Sequence, residues 1–443
     1  MSKTFKGGLH IPDFKEATNS LSIKKIESGK VHVYPLQQHI GAPLEPLVNV
    51  GDEVKIGDVI ADNKDAFVAV PIHASISGTV TAIEKRRHPS GVMVQSVVVE
   101  NNGLYQKNED LKPKDYLRMT SEEIIKEIRN AGIVGMGGAG FPTHVKLSPP
   151  KDKKIDCLII NGAECEPYIT ADHRRMLEMP EDIIGGIKIV LKALGIDKAY
   201  LAIEKNKKDA IKILKDKTKE EKNISVVELK TKYPQGGEKQ LIYAVTKRKT
   251  PAGGLPSDVG VIVINIDTVD QIFDYFKTGI PLIDRVVTVS GDCIKEPSNF
   301  LVRCGMSFDD VISQAGGYIK EPKKIIMGGP MMGMAQYTTS VPVIKTTSSI
   351  LVLGDEGENF QEDNNCIKCG KCVESCPMRL MPLYLNKYSM AKDYEMLEKY
   401  HIMNCIECGL CSYLCPGFQG PLHNIRIAKQ QIIENKRNQA KNN

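Results

Sequence analysis

Eight of the chain's twelve cysteines fall into two copies of one pattern. The first reads Cys366-Ile-Lys-Cys369-Gly-Lys-Cys372-Val-Glu-Ser-Cys376-Pro377, the second Cys405-Ile-Glu-Cys408-Gly-Leu-Cys411-Ser-Tyr-Leu-Cys415-Pro416. Three thiolates at three-residue steps can converge on one iron–sulfur cubane, while the fourth, just before a proline, is directed to the other cluster. Two [4Fe–4S] clusters with crossed ligand sets are therefore expected. Cys366, Cys369, Cys372 and Cys415 would hold one, and Cys376, Cys405, Cys408 and Cys411 the other. Paired zinc sites also use Cys-x-x-Cys, but eight cysteines that repeat the full spacing and the trailing proline favour clusters. The remaining four, Cys157, Cys165, Cys293 and Cys304, lack ligand spacing and are expected to be small buried residues.

A second concentration of chemistry is Gly132-Ile-Val-Gly135-Met-Gly137-Gly138-Ala-Gly140-Phe-Pro-Thr143. It contains a formal Gly-x-Gly-x-x-Gly, but a dinucleotide fingerprint follows a strand, whereas this loop leaves a helical pattern, so a standard Rossmann pyrophosphate site is not expected. Five glycines in nine residues still let backbone approach a flat or anionic ligand closely. A merely flexible turn has the same composition.

The elements that must position these groups follow from the periodicity. From Val31 to about Asn102, short β-branched runs cut by glycines predict a small all-β domain. Ser121–Ala131 predicts a helix with a serine and early acids suited to its start. Apolar runs at Ile155–Ile160, Ala199–Ile203, Ile224–Leu229 and Val259–Ile264 then alternate with helical stretches near Pro180–Leu194, Lys207–Lys215, Glu238–Lys247 and Val269–Lys277. That alternation predicts an α/β layer with a mainly parallel sheet. After Pro281 a strand, a short helix and a glycine stop suggest a small α+β module, and the acidic, asparagine-rich Gly354–Asn365 is a plausible linker. The 28 residues between Cys376 and Cys405 predict a helical insert.

With 443 residues and 42% hydrophobic content the chain can fill about three or four domains. Its 59 basic and 54 acidic residues nearly balance, which argues against nucleic-acid binding as the main task. No apolar run reaches the roughly 20 residues that span a bilayer. The start, Met1-Ser2-Lys3, has no hydrophobic signal core, so a reducing cytoplasm is expected. His423 to Asn443 carries Arg426, Lys429, Lys436, Arg437 and Lys441 against one acid, Glu434. Two readings fit it: a solvated, frayed helix, or a docking surface for an acidic partner or anionic membrane.

Several blocks resemble known families. Val31–Asn102 resembles the biotinyl and lipoyl carrier fold, but Asp65 stands where that family has its acceptor lysine and Lys64 is one position off, so no covalent lipoyl or biotin is expected. The stretch after Pro281 is similar to soluble-ligand-binding β-grasp modules. The glycine loop with Lys146, the block Asn161-Gly-Ala-Glu164-Cys-Glu166-Pro with Asp172 beyond it, Tyr233-Pro-Gln-Gly-Gly-Glu238 and Asn265-Ile-Asp-Thr268 resemble, in the same order, the FMN- and NADH-binding subunit of respiratory complex I. Ala163 and Gly237 depart from its pattern, which has an aspartate and a glutamate there.

That resemblance implies that Gly135, Gly137, Gly138 and Gly140 line a non-covalent FMN and the nicotinamide of NAD+ or NADH, and that Lys146 meets the FMN phosphate. Asn161 and Asn265 would bond the flavin, with Thr268 in the same block, and Glu164 and Glu166 would lie near the nicotinamide. No catalytic residue beyond this set is expected, since hydride transfer needs no protein acid or base. Together with the opening Phe5-Lys-Gly-Gly-Leu-His-Ile-Pro12, the whole arrangement is similar to the C subunit of the Rnf ion-translocating ferredoxin:NAD+ oxidoreductase. It implies a multidomain α/β chain: an all-β barrel-sandwich hybrid (1–110), a Rossmann-like FMN/NADH domain (111–280), a β-grasp module (281–353), a helical double [4Fe–4S] ferredoxin domain (354–422) and a basic tail (423–443). It further implies a peripheral place on the cytoplasmic side of the cell membrane. The partners would be membrane-embedded and iron–sulfur subunits of the same complex, with ferredoxin reached indirectly. A diaphorase subunit of a soluble hydrogenase or formate dehydrogenase shares the flavin blocks but ends in a different cluster motif. A cluster relay with an empty flavin fold is the non-catalytic alternative.

Overall fold

The computed structural model describes residues 3–354 and 365–442. Its centre is a four-stranded parallel sheet ordered Ile224–Leu229, Ala199–Glu204, Cys157–Gly162, Val261–Asn265. The strands read as near-continuous apolar runs because helices cover both faces. The helix Pro180–Leu194 starts with proline and stops at left-handed Gly195. It packs on Ile266–Thr278 so closely that a Cβ at Gly186 would lie 1.9 Å from the Val269 carbonyl oxygen. The chain winds outward from Cys157–Gly162 in one direction, then returns to its other side as Val261–Asn265. At such a switch point the carboxyl ends of two adjacent parallel strands leave a crevice.

The all-β domain forms two small sheets, one of Val31–Pro35, Met93–Asn101, Gly78–Arg87 and Glu53–Val54, the other of Glu45–Pro46, Val59–Asp62 and Ile72–His73. Tyr34, Ile60, Ile72, Ile76, Val80, Val97 and Val99 fill the space between them. Residues 3–25 leave these sheets. Lys3 and Leu9 form bridges with Leu229 and Tyr233, and Lys24–Lys25 adds an edge strand to the third domain. That third domain is a six-stranded mixed sheet carrying the helix Phe308–Gln314. The expected linker lies, from 355 to 364, outside the described residues.

In the cysteine-rich domain the insert between the motifs is two helices, Pro382–Met390 and Tyr394–Lys399. The basic terminal stretch belongs to the helix Pro421–Asn442: its first half is packed, with Ile425, Ala428 and Ile432 buried against Leu385, Leu397 and Ile402, while residues 433–439 are largely solvated, as the solvated-helix reading expects. Arg426 and Lys429 pair with Glu407 inside the second cysteine motif, and Lys436 with Glu398. These three cations are therefore engaged within the chain.

Candidate functional site

Asn161, one residue before the end of its strand, and Asn265, the last of the neighbouring one, stand in register at the switch point. Asn265 also caps the helix Ile266–Thr278, its Oδ1 accepting the Asp267 amide at 2.8 Å. The glycine loop leaves the helix Ser121–Asn130 and lies over this pair, so that a Cβ on Gly137 (φ +77°) would stand 2.7 Å from Asn265 Nδ2. The loop is pinned from below, because Thr268 Oγ1 accepts the Met136 amide at 3.0 Å. Thr268 is fully buried; it holds the loop rather than lining its open side. Gly135 N–H bonds the Phe141 carbonyl at 2.8 Å, and Gly140 (φ +71°) lies against Thr346. Above Gly138 nothing among the described residues comes within 4 Å of a Cβ position.

The acidic block follows strand Cys157–Gly162. Glu164 takes a left-handed backbone (φ 46°), and its Oε1 accepts the Asp172 amide at 2.6 Å. Asp172 Oδ2 in turn accepts Asn265 Nδ2 at 2.8 Å. Burial, then the neighbouring Glu164 and Asp267, raise the Asp172 carboxyl to about 7. Asn161 Nδ2 donates to the Gly236 carbonyl at 2.9 Å, tying the Tyr233–Glu238 block to the same crevice. Lys146 pairs with Glu238 at 3.0 Å and donates to the Val263 carbonyl at 3.2 Å, remaining partly exposed.

Three further contributors support the block, two of them, Lys15 and Lys207, outside any motif. Buried Lys15 donates to the carbonyls of Glu164 and Glu166, each at 3.0 Å, and Lys207 to that of Ala163 at 2.7 Å. These two ammoniums hold the acidic loop from behind. Tyr233 Oη donates to the Cys408 carbonyl at 2.8 Å and lies 3.3 Å from Glu166 Oε1. Burial raises Glu166 to about 7, against the opposing Met331 amide and Tyr233 hydroxyl. No local spacing reveals Lys15 or Lys207. Tyr233 at least opens the Tyr233–Glu238 block, although its contact with the cysteine domain is not foreseeable from it.

The two cysteine motifs repeat a backbone conformation as well as a spacing. Lys368 and Glu407, then Gly370 and Gly409, are left-handed at equivalent positions, as are Arg379 and Phe418 beyond the last cysteines. Consecutive turned amides of this kind face a common centre. One cavity is lined by Cys366, Cys369, Cys372 and Cys415, with Leu383 and Pro416 beside them. For Cys411, burial and then the adjacent Cys405, Cys408 and Cys376 push the free thiol up to about 12. Thiols so crowded suit a cationic metal cluster, which binds them as thiolates. The cavity of Cys366, Cys369, Cys372 and Cys415 and the thiols crowded around Cys411 have donor chemistry that suits such a cluster, and the open glycine loop suits a flat ligand.

Family models match four stretches in this order: the RnfC barrel sandwich hybrid domain over residues 3–104, the Nuo51 FMN-binding domain over 128–274, the SLBB domain over 286–335 and a 4Fe-4S dicluster domain over 365–417. The chain is 47% identical over 435 residues to the C subunit of a Na(+)-translocating ferredoxin:NAD(+) oxidoreductase complex of Acetobacterium woodii, covering 98% of each chain. It is 46% identical to the C subunit of a proton-translocating ferredoxin:NAD(+) oxidoreductase complex of Clostridium ljungdahlii, covering 91% of this chain and 88% of that one. The C subunit of an ion-translocating oxidoreductase complex of Pseudomonas aeruginosa is 38% identical over 89% of this chain, which spans 51% of that longer relative. Among solved structures, a crystal structure of an NAD+-reducing [NiFe]-hydrogenase in the H2-reduced state superposes with a TM-score of 0.50 at 18% identity, over 72% of this chain and 62% of that one. That likeness is one of fold. By near-full-length identity and the order of its four domains, the chain belongs to the RnfC family, the C subunits of the Rnf ion-translocating ferredoxin:NAD(+) oxidoreductase complexes.

Proposed function

We propose that this chain is the NAD(H)-oxidoreducing subunit of a membrane-bound, ion-translocating ferredoxin:NAD+ oxidoreductase, docked peripherally on the cytoplasmic side. Among the described residues no helix is long and apolar enough to cross a membrane, which is consistent with that place. The observation that carries the reading is the meeting of two chemistries at one crevice. The glycine loop and the Asn161/Asn265 pair lie on one side, and the cysteine domain reaches the same acidic block through Tyr233 and Cys408.

Bound FMN would supply the conversion between the hydride of NAD(H) and the single electrons that the [4Fe–4S] clusters carry. The chain's own residues bind and orient. Gly135, Gly137, Gly138 and Gly140 offer a side-chain-free floor, Asn161 and Asn265 offer amides from the strand ends, and Thr268 holds the loop in register. Lys146, now paired with Glu238, would hold the FMN phosphate. Glu164 and Glu166 would lie near the nicotinamide. Cys376, Cys405, Cys408 and Cys411 take the cluster beside the flavin domain, and Cys366, Cys369, Cys372 and Cys415 the outer one. Cys366 and Cys369 are exposed, as is Ile367 at 69% between them, which favours docking of an iron–sulfur partner subunit at that end. The test is to purify the chain without oxygen, count released FMN and iron, and add NADH. About one FMN and about eight irons, both chromophores bleaching, are expected; eight irons with no flavin and no response after FMN is supplied would defeat the reading.

A further inference from the structure

The opening residues contribute no chemistry, yet they occupy the seam between the flavin domain and the inner cysteine set. Leu9 pairs with Tyr233 through N–H···O bonds of 2.9 and 2.8 Å, extending the Tyr233 loop by one residue of strand. One step earlier, Gly8 N–H donates to the Ser375 carbonyl at 2.8 Å, so adjacent residues grip two domains. Neither glycine has room for a side chain. A Cβ on Gly7 (φ +80°) would stand 2.7 Å from the Cys376 carbonyl oxygen, and one on Gly8 (φ +73°) 2.6 Å from that of Tyr233. Lys232 closes the strap from the other side: its Nζ donates to the carbonyls of Phe5 at 2.7 Å and Gly7 at 2.6 Å, and lies 3.9 Å from the Phe5 ring centroid. Further along, Ile11 is buried with Tyr233, Cys408 and Leu410. The strap therefore touches the backbone of Cys376 at one end and packs on Cys408 at the other.

We propose that Phe5–Ile11 is a positioning strap that fixes the Cys376–Cys405–Cys408–Cys411 end of the cysteine domain against the flavin crevice, with Gly7 and Lys232 as its positioning residues. The inference rests on the functional reading above. Electron exchange between two groups depends on how closely and rigidly they are held, so the strap's work is in the transfer between domains and not in hydride exchange at the crevice. Gly7→Ala pushes a methyl into the Cys376 peptide, and Lys232→Met removes both carbonyl contacts without adding bulk.

The full chain is prepared without oxygen as parent, Gly7→Ala, Lys232→Met, Lys232→Arg and, as a control at an exposed position, Lys6→Ala. Amide hydrogen exchange is followed in residues 5–11 and 373–378, and NADH-driven bleaching of flavin and clusters is followed separately by stopped flow. Gly7→Ala and Lys232→Met are expected to exchange faster in both segments. They should keep parental iron and flavin contents and the parental flavin phase, and should slow the cluster phase by about tenfold, since misplacements near 1 Å are costly to oriented reactions. Lys232→Arg should recover part of that loss, and Lys6→Ala should match the parent. Parental exchange and parental cluster phases in both variants would overturn the proposal. Iron loss in both would overturn it in favour of a role in cluster assembly, and a slowed flavin phase in favour of a role in the crevice. A parent whose flavin NADH does not bleach defeats the functional reading instead, while the exchange data still report whether the strap holds.

Discussion

Glu204 ends the strand Ala199–Glu204 with 1% of its surface exposed, accepting the Lys232 amide at 3.2 Å. Burial raises its carboxyl from 4.5 to about 7, with Lys207 and Lys15 pulling the other way. Between these two values the folded chain keeps a proton that the unfolded chain has released. Stability therefore falls as pH rises through that window, and the loss is complete above it. Glu204→Gln retains an acceptor and removes the titration. The variant should gain on the parent by up to about 3 kcal/mol more at about pH 8 than at about pH 5. Denaturant melts at both pH values check this; a gain independent of pH would show that the carboxyl is not the titrating group. Glu164 and Glu166 are legible as a block, but the Lys15 ammonium that supports them comes from about 150 positions earlier, at no recognisable spacing.

At the scale of elements, periodicity locates the pieces well. The helix Pro180–Leu194 and the strand Ile224–Leu229 have the expected bounds, and the parallel order follows from strands alternating with helices. What periodicity does not show is how helix Ile266–Thr278, which carries Asn265 and Thr268 at its start, is held in place. Asp267 in its first turn forms ion pairs with Arg175, Nε at 2.7 Å, and with Arg285, Nη1 at 2.8 Å, all three nearly inaccessible. Arg285 belongs to strand Asp284–Ser290, so the third domain reaches under the crevice. Removing one partner of a buried charge network typically costs about 3–5 kcal/mol. Arg285→Met should fall near the lower end, because Arg175 still faces Asp267, and it should lower the FMN retained per chain. Urea unfolding and flavin content check both; parental values would show that the network does not couple the third domain to the crevice.

At the scale of the molecule, the proposed crossed ligand sets predict different failures. Cys376→Ser should remove the cluster beside the flavin domain, leaving about four irons and a flavin that NADH bleaches while the outer cluster stays oxidised. Cys366→Ser should also halve the iron, yet leave a remaining cluster that NADH reduces. Iron counts with freeze-quench spectra distinguish them, and the reverse pattern would sink the assigned order. The sequence by itself determined the cluster type, the class of each domain and the blocks around the crevice. Metal-ligand spacing, hydrophobic period and glycine content are local quantities, written within a few residues of one another. Only the tertiary structure decided that Asn161 meets Asn265, that residues 3–25 leave the barrel for other domains, that Arg426 and Lys429 turn inward to Glu407, and that Tyr233 joins the crevice to Cys408. Each of these joins residues far apart in the chain or in different domains, through burial and hydrogen bonds that exist only once the sheet has closed and the domains have packed.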